Sequence, residues 1–297
     1  MLVTRGALLP DLRFAATSQI DGAGCGRVAE TAGVLSFMSQ GESTGGKVPA
    51  RGVAELDEAS CRVEDAFDPA EVARFERLEP VVRRAAAEHR DLHSRGVRFL
   101  ARQGIRQFID LSYGLATPRS THRIARAIDP DSRVVYVDVD PTVRTAGTAP
   151  ENRHTTLMTA DPRDPAAVLA SPQVRAFIDL DEPVGLLMLG VVHHLGDDDD
   201  PAAVVAGYKD ALAGGSYLFL SHYLGRGAAT AELEATLLAH RGTGRFRSRA
   251  EISAYFGGLA TVPPGLSYAA MWRRETMFSG RVDAGVRLVL GGIGRKA

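Results

Sequence analysis

The sequence predicts an α/β fold: a doubly wound, mostly parallel sheet with a helical N-terminal extension. Three observations carry this. Segments such as "QFIDL", "RVVYVDVD", "VGLLMLGVV" and "GSYLFLSHY" are near-continuous apolar runs rather than alternating ones, as expected of strands covered on both faces. Amphipathic helical stretches separate them, which is the rhythm of βαβ units. Acids or histidines stand where successive runs end, and open α/β sheets bind ligands beyond the carboxyl ends of their strands.

Residues 1 to 65 are rich in Gly, Ala, Ser and Thr and show no sustained helical period, so they are expected to be a loosely ordered extension ahead of a domain spanning 66–297. Within them "GESTGGKV" approaches the phosphate-binding pattern G-x-x-x-x-G-K-[ST]. Val48 replaces the metal-binding hydroxyl and Pro49 interrupts the expected helix, which counts against an ATP site. From Asp68, an N-cap candidate followed by Pro69, a helical pattern runs to Gly104, and Pro80 is expected to divide it into two helices. Then come a strand at "QFIDL", a helix at "RSTHRIARAID" and a strand at "RVVYVDVD". Further on, "DPAAVLASPQVRAFI" reads as helical, "VGLLMLGVV" as a strand, "DPAAVVAGYKDALA" as a helix and "GSYLFLSHY" as a strand. A last strand in "AGVRLVLGGIGRK" is placed to close the sheet.

With 35 Lys and Arg against 36 Asp and Glu, the chain lacks the broad positive field that nucleic acid or an anionic membrane surface needs. Neither is an expected partner. No stretch approaches the roughly 20 apolar residues of a membrane span, and Pro10, Asp11 and Arg13 interrupt the only short apolar run near the N-terminus. Cys25 and Cys61 have no metal-ligand spacing and fit a reducing, cytoplasmic setting. The oligomeric state is not legible in the sequence.

The residues at strand ends are Asp110, then Asp138 and Asp140, then Asp161 after "HTTLMTA", then His193 and His194, then His222 and Tyr223. Each acid alone is as well explained by capping the next helix. Together they form a pattern. Asp138, 28 positions beyond Asp110 (138 − 110), can hold both hydroxyls of a ribose. A nicotinamide site would need G-x-G-x-x-G in the first turn, whereas "DLSYGLAT" has one glycine and begins with an acid. An acid ahead of the loop repels a pyrophosphate and suits a cationic ligand with a free amino group, which favours S-adenosylmethionine. The run "DDDD" at 197–200 is read as capping the following helix rather than as a metal site.

Several segments carry a specific resemblance: "RGVRFLARQGIRQFIDLSYGLAT", "SRVVYVDVDP", "VGLLMLGVVHHLGDDDDPAAVV", "GSYLFLSHY", "RSRAEISAYFGGL" and "GGIGRK". From about Ala85 to the end the chain closely resembles the actinobacterial S-adenosylmethionine-dependent methyltransferase family formerly labelled DUF574. The resemblance implies a class I methyltransferase-like sheet. It also implies that Asp110, Ser112 and Gly114 line the cofactor's amino-acid tail, with Asp138 at the ribose, Asp161 at the adenine and Leu189 also on the cofactor. The implied acceptor is a small molecule, with a role in secondary metabolism. His193 matches a histidine frequent in the family, and either it or His222 is placed to serve as a base, an unperturbed imidazole titrating near 6.5. Tyr113 is a third candidate for the chemistry.

The chain departs from the family's pattern in the loop, where D-[IL]-G-[ST]-G-L-P-T is usual. Ser112 replaces the first glycine, Tyr113 a small residue and Ala116 the proline. If that position requires a positive φ, serine costs roughly 1 to 2 kcal/mol. Weaker or differently posed cofactor is then expected. A methyltransferase fold turned to a lyase or cyclase reaction, or to a non-catalytic partner role, stays open at this level.

Overall fold

The computed structural model describes residues 69–112, 120–139, 152–241, 243–274 and 279–297. The expectations for residues 1–65, and those for Tyr113, Gly114, Ala116 and Asp140, lie outside the described residues.

The described chain opens with a long helix, α1 (Pro69–Arg102), and enters the sheet at β1 (Gln107–Asp110). Next come α2 (Thr121–Arg126), β2 (Arg133–Asp138), β3 (Thr155–Thr159), α3 (Pro165–Ala170) and α4 (Pro172–Phe177). After them follow β4 (Gly185–Leu189), α5 (Pro201–Ala211), β5 (Tyr217–Tyr223), α6 (Ala228–Arg241) and α7 (Arg249–Ala254). Two short strands, β6 (Ala260–Thr261) and β7 (Ser267–Tyr268), precede the last strand, β8 (Val289–Arg295).

The strand order is β3-β2-β1-β4-β5-β8-β6, with β7 also pairing with β8. Strands β1 to β5 run parallel and β8 runs antiparallel to β5, so the expected mostly parallel, doubly wound class I methyltransferase-like sheet is the observed one. Sequence order reverses between β1 and β4, which makes that junction the switch point. Every residue of β1, β4 and β5 is buried, and the two faces feed separate cores. Val135, Leu186, Met188 and Leu220 face one side; Phe108, Leu187 and Phe219 face the other with Leu92 and Trp272. The continuous apolar runs of the sequence are the consequence of that double coverage. No described helix is long and apolar enough to cross a membrane.

Two local expectations need correction, and a third is sharpened. Pro80 does not divide α1, which runs unbroken for 34 residues. Pro80 is exposed, and the helix absorbs the cost of the one hydrogen bond that its ring removes without ending. The segment after Asp164 is helical as expected and divides into two helices. Ser171 closes the first and caps the second, accepting from Val174 N at 3.2 Å, with Pro172 at the first position. The glycine-rich C-terminal strand does not close the sheet at an edge, because β6 and β7 both pair on its far side.

Helix α1 lies unusually close to the sheet. A Cβ on Gly96 would come within 2.1 Å of the Phe219 ring, so only hydrogen at this position lets the helix cross β5 at its observed depth. Gly96→Ala should therefore destabilise the protein by about 1 to 3 kcal/mol, the range for overpacking a filled core. Urea unfolding checks this, and an unchanged midpoint would show that the helix can lift off without cost.

Candidate functional site

The carboxyl ends of β1, β2, β4 and β5 stand side by side at the switch point, and Asp110 closes the first of them. Asp110 is only 4% exposed. Its Oδ1 accepts from Ser112 N at 3.0 Å and Ser112 Oγ at 2.6 Å, while Oδ2 accepts from Thr121 Oγ1 at 2.6 Å. Burying carboxylate oxygens is costly unless donors meet them, and three donors meet these. The turn after β1 is thereby tied to the first residue of α2. Ser112 does not carry the strain considered for it: among the described residues only Asp200 and Arg273 are non-glycines with positive φ. The serine is instead a donor to the acid two residues earlier.

Two histidines that sequence reasoning missed complete this region from the other side. His89 and His93, four residues apart on α1, fall on the helix face that also carries Ala85, Leu92, Gly96 and Leu100, the face turned to the sheet. His93 Nε2 lies 2.8 Å from Thr121 Oγ1. Since the threonine hydroxyl gives its proton to Asp110, the imidazole is the donor to its oxygen. His89 Nε2 lies 2.6 Å from Ser221 Oγ, and the same oxygen accepts from Gly190 N at 3.0 Å. Burial lowers the pKa of His89 to about 4, with the neighbouring His93 and Arg90 adding to the effect. It also lowers that of His93, against the pull of Asp110. The signal available in the sequence was the spacing itself: two histidines at i and i+4 inside an otherwise apolar stripe.

Beyond β4 the chain turns at Gly190, whose φ of +70° excludes most side chains, and passes into a single 3₁₀ turn, Val192–His194. His193 packs its ring 4.4 Å from that of Tyr223, 4.1 Å from His194 and 6.0 Å from His222. Tyr223 in turn meets Phe246 at 4.9 Å, and His222 stacks on Tyr255 at 6.1 Å. The two predicted histidines thus belong to one aromatic cluster over the ends of β4 and β5. His222 is 1% exposed; its Nδ1 donates to Tyr223 O at 2.8 Å, and Nε2 has no hydrogen-bond partner among the described residues. Burial lowers its pKa to about 4, with the hydrogen bond to Tyr223 opposing and Arg247 adding to the shift. It is neutral at pH 7, with its lone pair on Nε2.

The remaining predicted residues are placed less alike. Asp138 ends β2 in a half-buried position, in register with Thr159 of β3. Leu189, the last residue of β4, is buried in the core cluster on the α1 side. Asp161 is exposed and engaged by Arg163, whose Nη2 reaches Oδ2 at 2.6 Å and whose backbone N reaches Oδ1 at 2.9 Å. These bonds hold its carboxyl below the usual range. Arg163 also reaches Asp199 at 3.2 Å. The aspartate run after Gly196 does two jobs: Asp200 caps α5 by accepting from Ala203 N at 3.1 Å, and Asp197 pairs with Arg245 and Arg247. Among the described residues there is no group of three or more His, Cys, Asp or Glu able to hold a metal.

The donor set fits a cationic nucleoside ligand. Acids close β1 and β2, and Gly190 leaves bare backbone at the end of β4. A side chain there would be crowded as well as strained, since its Cβ would lie 3.2 Å from His89 Cε1.

A family profile described as S-adenosyl methyltransferase matches residues 65–297. A solved structure of a candidate methyltransferase from Thermobifida fusca YX is 38% identical, covering 77% of this chain and 89% of that one with a TM-score of 0.70. A DUF574 family protein from Streptomyces avermitilis MA-4680 is 32% identical, covering 78% and 92% of the two chains with a TM-score of 0.67. No curated protein matches the chain.

Proposed function

Because the chain belongs to the S-adenosyl methyltransferase family, with S-adenosylmethionine as its cofactor, we propose that it methylates an oxygen or nitrogen of a small, planar molecule, a reaction of secondary metabolism. The observation that carries this reading is the arrangement around one switch point: acids at the ends of β1 and β2, and a cluster of imidazole and phenol rings beyond β4 and β5.

The cofactor supplies a methyl group already activated on a cationic sulfur, so the protein's work is alignment, exclusion of water and removal of one proton. Asp138 accepts from the ribose hydroxyls, Asp110 holds the turn that faces the amino-acid tail, and Leu189 offers apolar surface at the end of β4. Asp161 contributes least, since Arg163 already engages its carboxylate. The rings of His193, Tyr223 and Phe246 favour an aromatic acceptor, which can lie against them. His193 takes the proton of the acceptor's hydroxyl or amine. His222, neutral and enclosed, supports the ring cluster from below and is the second candidate for that proton.

S-adenosylhomocysteine release from S-adenosylmethionine, measured with small phenols and aromatic amines, tests this reading. His193→Ala should lower kcat by about a hundredfold or more, the usual share of a general base, and leave S-adenosylhomocysteine affinity nearly unchanged. An unaltered kcat removes His193 from the chemistry. Cofactor binding without turnover of any acceptor would favour a reaction other than methylation. Asp138→Ala should weaken S-adenosylhomocysteine by about 1.5 to 3 kcal/mol, the range for hydrogen bonds to a charged group. Calorimetric titration checks it, and unchanged affinity in the folded variant would place the ribose elsewhere.

A further inference from the structure

Helix α1 lies outside the sheet, yet it sends one imidazole to each side of the switch point. On the β1 side the line runs from His93 Nε2 to Thr121 Oγ1 (2.8 Å), from Thr121 Oγ1 to Asp110 Oδ2 (2.6 Å), and from Asp110 Oδ1 to the backbone N and hydroxyl of Ser112. On the β4 side it runs from His89 Nε2 to Ser221 Oγ (2.6 Å) and on to the backbone N of Gly190 (3.0 Å). The two lines end on the two turns that leave β1 and β4, the strands between which the sheet reverses. Each begins one helical turn from the other on the same helix. The depth of the helix, set by Gly96 against Phe219, brings both rings within reach.

We propose that His89 and His93 are positioning residues for the cofactor, clamping the β1 and β4 turns to α1 through Ser221 and through the Thr121–Asp110 pair. The proposal rests on the cofactor lying at this switch point. Ser112, the second residue after β1, gives both its backbone N–H and its hydroxyl to Asp110, so the exit from β1 is fixed by side-chain hydrogen bonds. His93 holds Thr121, Thr121 holds the acid, and the acid holds Ser112 at the exit from β1. Neither histidine exchanges a proton with substrate. Their effect is on how tightly the cofactor is held, not on the chemical step.

The test is calorimetric titration of the full chain with S-adenosylhomocysteine, with thermal melting of each variant alongside. His93→Leu should weaken binding by roughly tenfold or more, the scale of losing one charge-linked hydrogen bond at a site that must stay ordered. His93→Gln, whose amide can still donate to Thr121, should bind within about threefold of wild type. Thr121→Val should match His93→Leu, and the double variant should be no weaker than either alone, because both cut the same line. His89→Leu and His89→Gln should repeat the pattern on the β4 side. If His93→Leu fails to fold, Thr121→Val and His93→Gln carry the comparison. Equal losses for Gln and Leu, additive losses in the double variant, or unchanged affinity in the folded Thr121→Val protein would each overturn the clamp. A wild-type protein that binds no S-adenosylhomocysteine would instead overturn the placement of the cofactor, and the clamp with it.

Discussion

Replacing Asp110 with alanine is expected to abolish measurable S-adenosylhomocysteine binding and to lower stability by about 3 to 5 kcal/mol, because three donors lose their acceptor inside the protein. Solvent cannot substitute for it: the carboxylate is 4% exposed, and the Thr121 hydroxyl that it holds is buried beside it. Asp110→Asn should cost less, since one acceptor oxygen remains, yet its amide presents protons to donors that already carry their own. Chemical unfolding reads the stability and calorimetry reads the binding. Alanine at this position with both properties intact would show that the turn is held by something else. The same geometry reverses the sign expected at Ser112. A serine forced into positive φ would be relieved by glycine, but this serine is unstrained and donates twice to Asp110, so Ser112→Gly should loosen the cofactor rather than tighten it.

Stability should fall steeply as the pH drops from about 6.5 to about 4. His89 and His222 have folded pKa values near 4 against an ordinary value of 6.5, so between these limits the unfolded chain binds protons that the folded one refuses. The stabilisation is complete above pH 6.5 and is lost as the pH falls through the window. For His222, 1% exposed, a gap of 6.5 − 4 units corresponds to about 3 kcal/mol. His89, a half-buried residue, adds to the same loss. His122, bonded to the Tyr136 hydroxyl at 2.8 Å and also shifted down, acts in the same direction. The carboxylates held low by arginine, Asp161 and Asp197, act in the same direction, but only at the acid end of this window and below it, where the unfolded carboxyls begin to take protons; the upper part of the slope belongs to the histidines. Melting temperatures recorded between pH 7.5 and 4 provide the check, with His222→Phe expected to flatten the curve. A wild-type curve that is level down to pH 4.5 would mean that the rings titrate normally.

Much of this molecule is legible along the chain. Runs such as "VGLLMLGVV" and "GSYLFLSHY" can be apolar throughout only if both faces are covered, so a parallel sheet between helical layers follows from local pattern alone. The acids at the ends of β1 and β2 follow too, because a strand end is a position in sequence as much as in space. Local pattern does not reach the partners of those acids. His89 and His93 look like ordinary polar interruptions of an amphipathic helix until Gly96 lets α1 sink against Phe219 and brings the rings to Ser221 and Thr121, 132 and 28 residues away. Asp161 shows the converse. It stands at a strand end like Asp138, but Arg163, two residues on, engages its carboxylate. Pro80 is a strong breaker by local rules and a tolerated one here, because its ring faces water. Propensity, periodicity and strand ends are properties of neighbouring residues and are written in their order. Hydrogen bonds between α1 and the turns of the sheet depend on how closely two surfaces approach, and that distance exists only once the chain has packed.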